Sequence, residues 1–169
     1  MKKSLILILC LFQFSVVFSQ VDSTQLKNDV SSIDSILAAM YDVISGPAGP
    51  RDWNRFRNLY HAKAYMGAIY NKPDGTMGYR TFTPEEYIVR STPFMNEKSF
   101  YEKELGREVM HFKNLISVFS AYQYETPDKK QRGINSVQLI FSENRWWISC
   151  VIWEEESKDN PLPEFILKK

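Results

Sequence analysis

Residues Gly133–Ser157 read GINSVQLIFSENRWWISCVIWEEES. Apolar side chains recur at every second place on both sides of Glu143-Asn144, the pattern of two strands joined by a tight turn. In the second arm Trp146, Ile148, Cys150 and Ile152 fall on one face, and Trp147, Ser149, Val151 and Trp153 on the other. Both faces are apolar, so both are expected to be covered. One would meet helices and a cavity, the other a second subunit.

The same period of two extends upstream. It runs from Phe100 to Phe112, turns at Lys113-Asn114, and continues from Leu115 to Glu125, before the polar connection ETPDKKQRG. Ahead of Ser99 the period is helical. Leu26, Val30, Ile33, Leu37, Met40 and Ile44 are spaced by three and four, which predicts one helix over residues 22–45 with its stop at Gly46-Pro47. Trp53, Phe56 and Tyr60 share one face of a short second helix from Asp52 to Tyr60. Residues 62–71 predict a strand and residues 72–78 a turn. Thr83-Pro84-Glu85-Glu86 is a capping box that opens a third helix, bent at Thr92-Pro93 and ending near Lys98. Leu162, Phe165, Ile166 and Leu167 predict a tail (residues 157–169) that lies back on the body. The order is α+β: three N-terminal helices packed on one face of a strongly curved, mostly antiparallel sheet.

GPAGPRDWNRFRNLY, residues 46–60, has the glycines of a phosphate-binding loop but not its chemistry. Two of the would-be donors are prolines without N–H groups, and no Gly-Lys-Ser/Thr follows. The stretch reads as an elbow between helices.

With this elbow after the first helix and the Gly133–Ser157 hairpin at the end, the sequence resembles the nuclear transport factor 2-like superfamily. Within it, the likeness is to secreted or uncharacterised bacterial members whose elbow reads Gly-Pro-Ala-Gly before Arg-Asp-Trp and whose last hairpin reads Gly-Ile-Asn-Ser before Arg-Trp-Trp. The resemblance implies a cone-shaped roll with a cavity at its wide end, and a homodimer formed through the sheet. That superfamily holds ketosteroid-isomerase-like, dehydratase-like and polyketide-cyclase-like enzymes beside non-catalytic binding and dimerisation domains, so the fold does not fix the function. The isomerase-like trio of an Asp base with a Tyr/Asp pair has no match here. Neither does the His–Asp pair of the dehydratase-like members.

The ends and the composition narrow the class. MKKSLILILCLFQFSVVFSQ has two lysines, a short apolar run and small residues before Gln20, the pattern of a signal peptide over residues 1–19. Leu9 is not small and the apolar run continues past Cys10, which argues against lipidation there. Residues 20–169 then form one domain, exported to the periplasm or the medium, with no membrane span. That portion carries 19 basic and 20 acidic residues, which argues against a nucleic-acid partner. Cys150 is its single cysteine, so its stability rests on an apolar core.

The chemistry-bearing candidates are few. His111, in REVMHFKNL, is the candidate catalytic base, because imidazole titrates near neutrality. His61 follows the second helix. Glu102, Glu104 and Glu108 share one parity and form an acid/base or metal candidate, or a solvated face. The two histidines have no metal-ligand spacing, so no metal and no cofactor are expected. Trp53, Arg57, Tyr65, Arg90, Tyr122 and Trp146 are the ligand-binding candidates, the arginines for a carboxylate and the rings for an apolar or aromatic molecule. Three functions stay open: a small-molecule-binding cavity, a proton-transfer enzyme using His111 or a cavity carboxylate, and a non-catalytic accessory or dimerisation domain.

Overall fold

The computed structural model describes residues 23–167; the expected signal peptide lies outside them. The elements are α1 (Ser23–Asn28), α2 (Ile33–Ile44), α3 (Trp53–Leu59), β1 (Tyr60–Asn71), β2 (Met77–Phe82), α4 (Pro84–Glu97), β3 (Tyr101–Phe112), β4 (Leu115–Glu125), β5 (Lys130–Ser142), β6 (Arg145–Glu155) and α5 (Glu164–Leu167). The strands form one sheet in the order β2-β1-β6-β5-β4-β3. All neighbours are antiparallel except β1 and β6, which run parallel. This is α+β, a curved open sheet with helices on its inner face.

The helix expected over residues 22–45 is two helices. Ser32 restarts the chain by accepting the Ser35 N–H at 3.0 Å. The break lets Val30 enter the core, and its carbonyl accepts the Trp146 N–H at 3.0 Å. It also places Asp29 against Arg55 of α3, which binds both Asp29, at 2.7 Å, and Asp42 of α2. A period-of-four stripe passes over such a break because Val30 and Ile33 remain buried or half-buried on either side of it.

The segment 77–82, expected to follow a turn with no strand of its own, is the edge strand β2, paired with Met66–Asn71. α4 opens with the Thr83–Glu86 capping box and continues through Pro93 as one helix. The elbow at residues 46–51 is the reverse of an anion cradle. Carbonyl oxygens of Ile44, Gly46, Pro47 and Gly49 all accept from the Arg51 guanidinium, at 2.9–3.0 Å.

Ile36, Leu37, Phe56, Leu59, Ile116, Val118, Val137, Leu139 and Ile148 fill the core between the helices and the sheet. The outer face is covered in part by the chain's own tail. Leu162 and Ile166 pack on Ala121, Leu105 and Ile134. At Gly106 the Ile166 carbonyl lies so close that an added Cβ would overlap it.

Two bulges set which side chains face the helices. β3 slips register between Glu104 and Gly106, and β6 between Ile148 and Cys150. Beyond Leu105 the parity inverts: Glu102, Glu104 and Arg107 face inward, while Glu108 faces outward opposite Phe119. Beyond Ser149 the same happens: Trp146, Ile148, Val151 and Trp153 share the inner face, with Trp147, Cys150 and Ile152 on the outer one. The uniform parity expected for both strands is corrected accordingly, because each bulge inserts one unpaired residue.

Candidate functional site

Between the helices and the inner face of the sheet lies an open cavity of about 270 Å³. Its floor and walls come from every layer of the fold: Met40, Tyr41 and Ile44 of α2, Phe56 of α3, Tyr60 and Met66 of β1, and Tyr87 of α4. The far side of the sheet adds Phe100, Glu102, Tyr122 and Tyr124. Asn135 of β5 and Val151, Trp153 and Glu155 of β6 complete it. The rings pack in two groups. Phe56 lies 4.6 Å from Tyr60 and stacks on Tyr87 at 5.3 Å, and Tyr87 meets Trp153 edge-on at 6.4 Å. Tyr124 stacks with Phe100 at 5.5 Å and with Tyr122 at 6.3 Å.

Among these rings, with Glu155 at the rim, stands the carboxyl of Glu102. Its Oε1 accepts from Asn135 Nδ2 at 3.2 Å, and among the described residues its Oε2 has no hydrogen bond. Removal from water raises its pKa from 4.5 to about 7, against the opposing pull of the Asn135 hydrogen bond. Burial, and then the Glu102 charge, hold Tyr87 and Tyr122 above the usual phenol range. Burial likewise raises Tyr41 and Tyr60. All four rings are neutral phenols at physiological pH.

A polar chain backs the carboxyl. Asn135 Nδ2 also donates to Tyr41 Oη at 3.2 Å, Tyr41 and Ser120 hydroxyls lie 2.6 Å apart, and Ser120 Oγ donates to Glu104 Oε1 at 2.6 Å. Glu104 in turn stands 3.7 Å from Arg107, whose Nη2 binds Asp34 of α2 at 2.7 Å. Ser120 and Asn135 are buried, so this chain fixes the Asn135 amide in front of Glu102. At the rim Glu155 accepts from Tyr124 Oη and from Lys129 Nζ, both at 2.7 Å.

Of the side chains singled out from the sequence, Tyr122 lines the cavity, and so does Glu102 of the acidic set. Trp53 packs edge-on against Phe56 at 5.6 Å, outside the lining. Arg57 is exposed and paired with Glu85 at 2.6 Å, and Arg90 is exposed on α4. Tyr65 is on the outer face beside Cys150. Trp146 is on the inner face but packs on Phe141 at 5.1 Å, away from the lining. His111 is exposed at the end of β3, with Nε2 2.7 Å from the Lys113 carbonyl. His61 is half-buried against Trp147. Tyr41, Tyr87 and Asn135 carried no signal of their own in the sequence, and Tyr60 stood out only as a helix-face residue, since their place depends on how α2, α4, β1 and β5 converge. Among the described residues no group of three His, Cys, Asp or Glu converges as a metal site, and no helix is long and apolar enough to cross a membrane.

Solved structures share this architecture. A protein of unknown function from Nostoc punctiforme with a cystatin-like fold superposes with a TM-score of 0.57 at 8% identity, over 75% of this chain and 90% of that one. A candidate ketosteroid isomerase from Parabacteroides distasonis superposes with a TM-score of 0.51 at 12% identity, over 74% and 88%. The chain has the nuclear transport factor 2-like fold. A candidate Ca/calmodulin-dependent kinase II association domain from Exiguobacterium sibiricum also shares it, with a TM-score of 0.56 at 10% identity, over 82% and 97%. At these identities the likeness carries the fold alone. No family model and no curated protein matches the sequence.

Proposed function

We propose that the cavity binds a small molecule with an apolar body and one polar group, and that Glu102 meets that polar group. The observation that carries this is the Oε2 of a half-buried carboxyl, without a hydrogen bond among the described residues, inside an aromatic-walled space of about 270 Å³. An open cavity of this kind does not suit a cone filled by its own side chains. The N-terminal pattern adds export, so the ligand would be met in the periplasm or the medium. Native mass spectrometry on protein purified gently from that compartment tests the reading. A reproducible bound mass, lost when a bulky residue replaces Val151 in the cavity wall, is the expected result. Empty protein that also takes up no aromatic probe in solution would overturn it.

A second reading has its own observation. A carboxyl titrating near 7 serves as acid and as base at neutral pH, as proton transfer next to a carbonyl requires. Tyr60 and Tyr87 line the same cavity, and phenols are donors of the kind a developing oxyanion needs. Deuterium uptake from D₂O into a bound compound, abolished in Glu102→Gln, would establish it. Exchange unchanged in that variant would remove Glu102 from the reaction.

The outer face supports a homodimer. Tyr65, Tyr79, Met110, Phe112, Leu115 and Phe119 are exposed there, beyond the part that the tail covers. A second copy laid sheet to sheet would bury them.

A further inference from the structure

We infer that the polar group of the ligand is a cation, a protonated amine or quaternary ammonium held against the ring faces with Glu102 as its counter-charge. This rests on the reading that the cavity binds a small molecule.

The lining is one-sided in its chemistry. Two carboxylates, Glu102 and Glu155, face the space together with eight aromatic rings and the Asn135 amide, and among the described residues no lysine, arginine or histidine lines it. The cations nearest to it are already engaged. Lys129 is bound to Glu155 outside the lining, and Arg51 is wrapped in four carbonyl oxygens of the elbow. Arg107 is spent on Asp34 and Glu104, on the far side of Ser120.

Each ligand class can be weighed against that lining. An anion would meet Glu102 with no cation beside it, and at the rim a Glu155 whose one cation, Lys129, is already engaged. A purely apolar molecule would leave Glu102 Oε2 dry and unpaired, the costly outcome for a buried polar atom. An ammonium group satisfies the carboxylate and also uses the electron-rich faces of the rings, which attract a cation more strongly once water is excluded. Rings line the space from two directions, and one of them, Tyr124, already has the Lys129 ammonium 5.4 Å from its ring centre. Phe56, Tyr60, Tyr87 and Trp153 come from the β1–β6 side, while Phe100 and Tyr124 come from the β3–β4 side.

The two sides also differ in what they offer. The first group carries no charged member, so it suits the apolar body. The second stands next to Glu102, the cross-strand partner of Tyr124, so it suits the charged head. The ligand is therefore expected to be amphiphilic and short enough to fit within about 270 Å³.

The experiment compares two probes of one shape: phenyltrimethylammonium and tert-butylbenzene, which differ only in nitrogen for carbon. Binding is measured by ligand-observed NMR at pH 8, with wild-type protein and with Glu102→Gln. The expected result is that the ammonium binds at least about tenfold more tightly than its isostere, and that Glu102→Gln removes this preference while tert-butylbenzene binds as before. If tert-butylbenzene binds wild-type protein as tightly as the ammonium, the cation inference falls and the cavity reading stands. If neither probe binds, both fall. The wild-type comparison decides the matter by itself, so the inference does not hang on the folding of the variant. Glu155→Gln serves as a second variant and should weaken the ammonium less, because Glu155 is at the rim and already paired.

Discussion

Asn135 on β5 reaches across β4 to place its Nδ2 3.2 Å from Glu102 Oε1 on β3, and this is the one hydrogen bond that the Glu102 carboxyl accepts among the described residues. A single neutral donor does not replace the water that the carboxylate loses, so the proton is held up to about pH 7 instead of 4.5. The folded state thus binds this proton more tightly than the unfolded chain. Its contribution to stability is complete below pH 4.5 and drains away as pH rises to about 7. Glu102→Gln cannot lose that proton. Between pH 4.5 and 7 the wild type should lose about 3 kcal/mol relative to the variant. Urea titrations of both proteins across that range check it, and parallel pH profiles would refute it.

Tyr41→Phe tests the polar chain behind Glu102. The lost hydroxyl leaves the Asn135 amide and the Ser120 hydroxyl each short of a partner in a buried place. The expected cost is about 1–3 kcal/mol. Ser120→Ala in the Tyr41→Phe background should then cost less than Ser120→Ala alone, since both members of the same bond are gone. A double-mutant cycle by chemical denaturation measures the difference. Additive losses would show that the two hydroxyls act independently.

The large elements were legible in the sequence because their signals are repeated many times over. Six spaced apolar residues announce the helical region before Gly46, and the period of two announces β3 to β6. What was not legible depends on single residues. One inserted residue, Leu105 in β3 and Ser149 in β6, moved Glu108, Cys150 and Ile152 to the outer face and left Val151 and Trp153 facing the cavity. A glycine inside a strand marks such a place, and Gly106 stands directly after Leu105. β2 was hidden for a different reason: it is a short edge strand with three exposed residues in a row, so no alternation survives. Of the site, Tyr122 and the acidic residue Glu102 stood out, but the rings around them come from five further elements whose convergence is tertiary. His111 drew notice for its chemistry, and its strand carries it to the exposed end.

Gly106→Ala tests the docking of the tail. The new methyl group would occupy the place of the Ile166 carbonyl, and the backbone there cannot yield as a side chain would. α5 must shift or leave, uncovering Ala121, Leu105 and Ile134. The expected loss is about 1–3 kcal/mol, with faster amide exchange in residues 157–167. Exchange in the core strand β5 should change less. Unaltered protection of the tail would mean that α5 is not held by this close approach.

Phe112→Asp tests the outer face. Phe112 is 70% exposed at the end of β3, and its neighbours Met110 and Leu115 are 69% and 52% exposed, so the substitution removes little within one chain beyond the Lys113 ammonium over its ring, which a carboxylate also attracts. The stability of the monomer should therefore change by less than about 0.5 kcal/mol. A sheet-to-sheet dimer would instead have to bury the new charge opposite its own symmetry mate, or near it, because the same patch serves both subunits. Sedimentation velocity at micromolar concentration is expected to show a dimer for the wild type and a monomer for Phe112→Asp. A monomeric wild type would remove the dimer. A dimeric variant would move the interface away from this end of the face, toward Tyr65 and Tyr79 on β1 and β2.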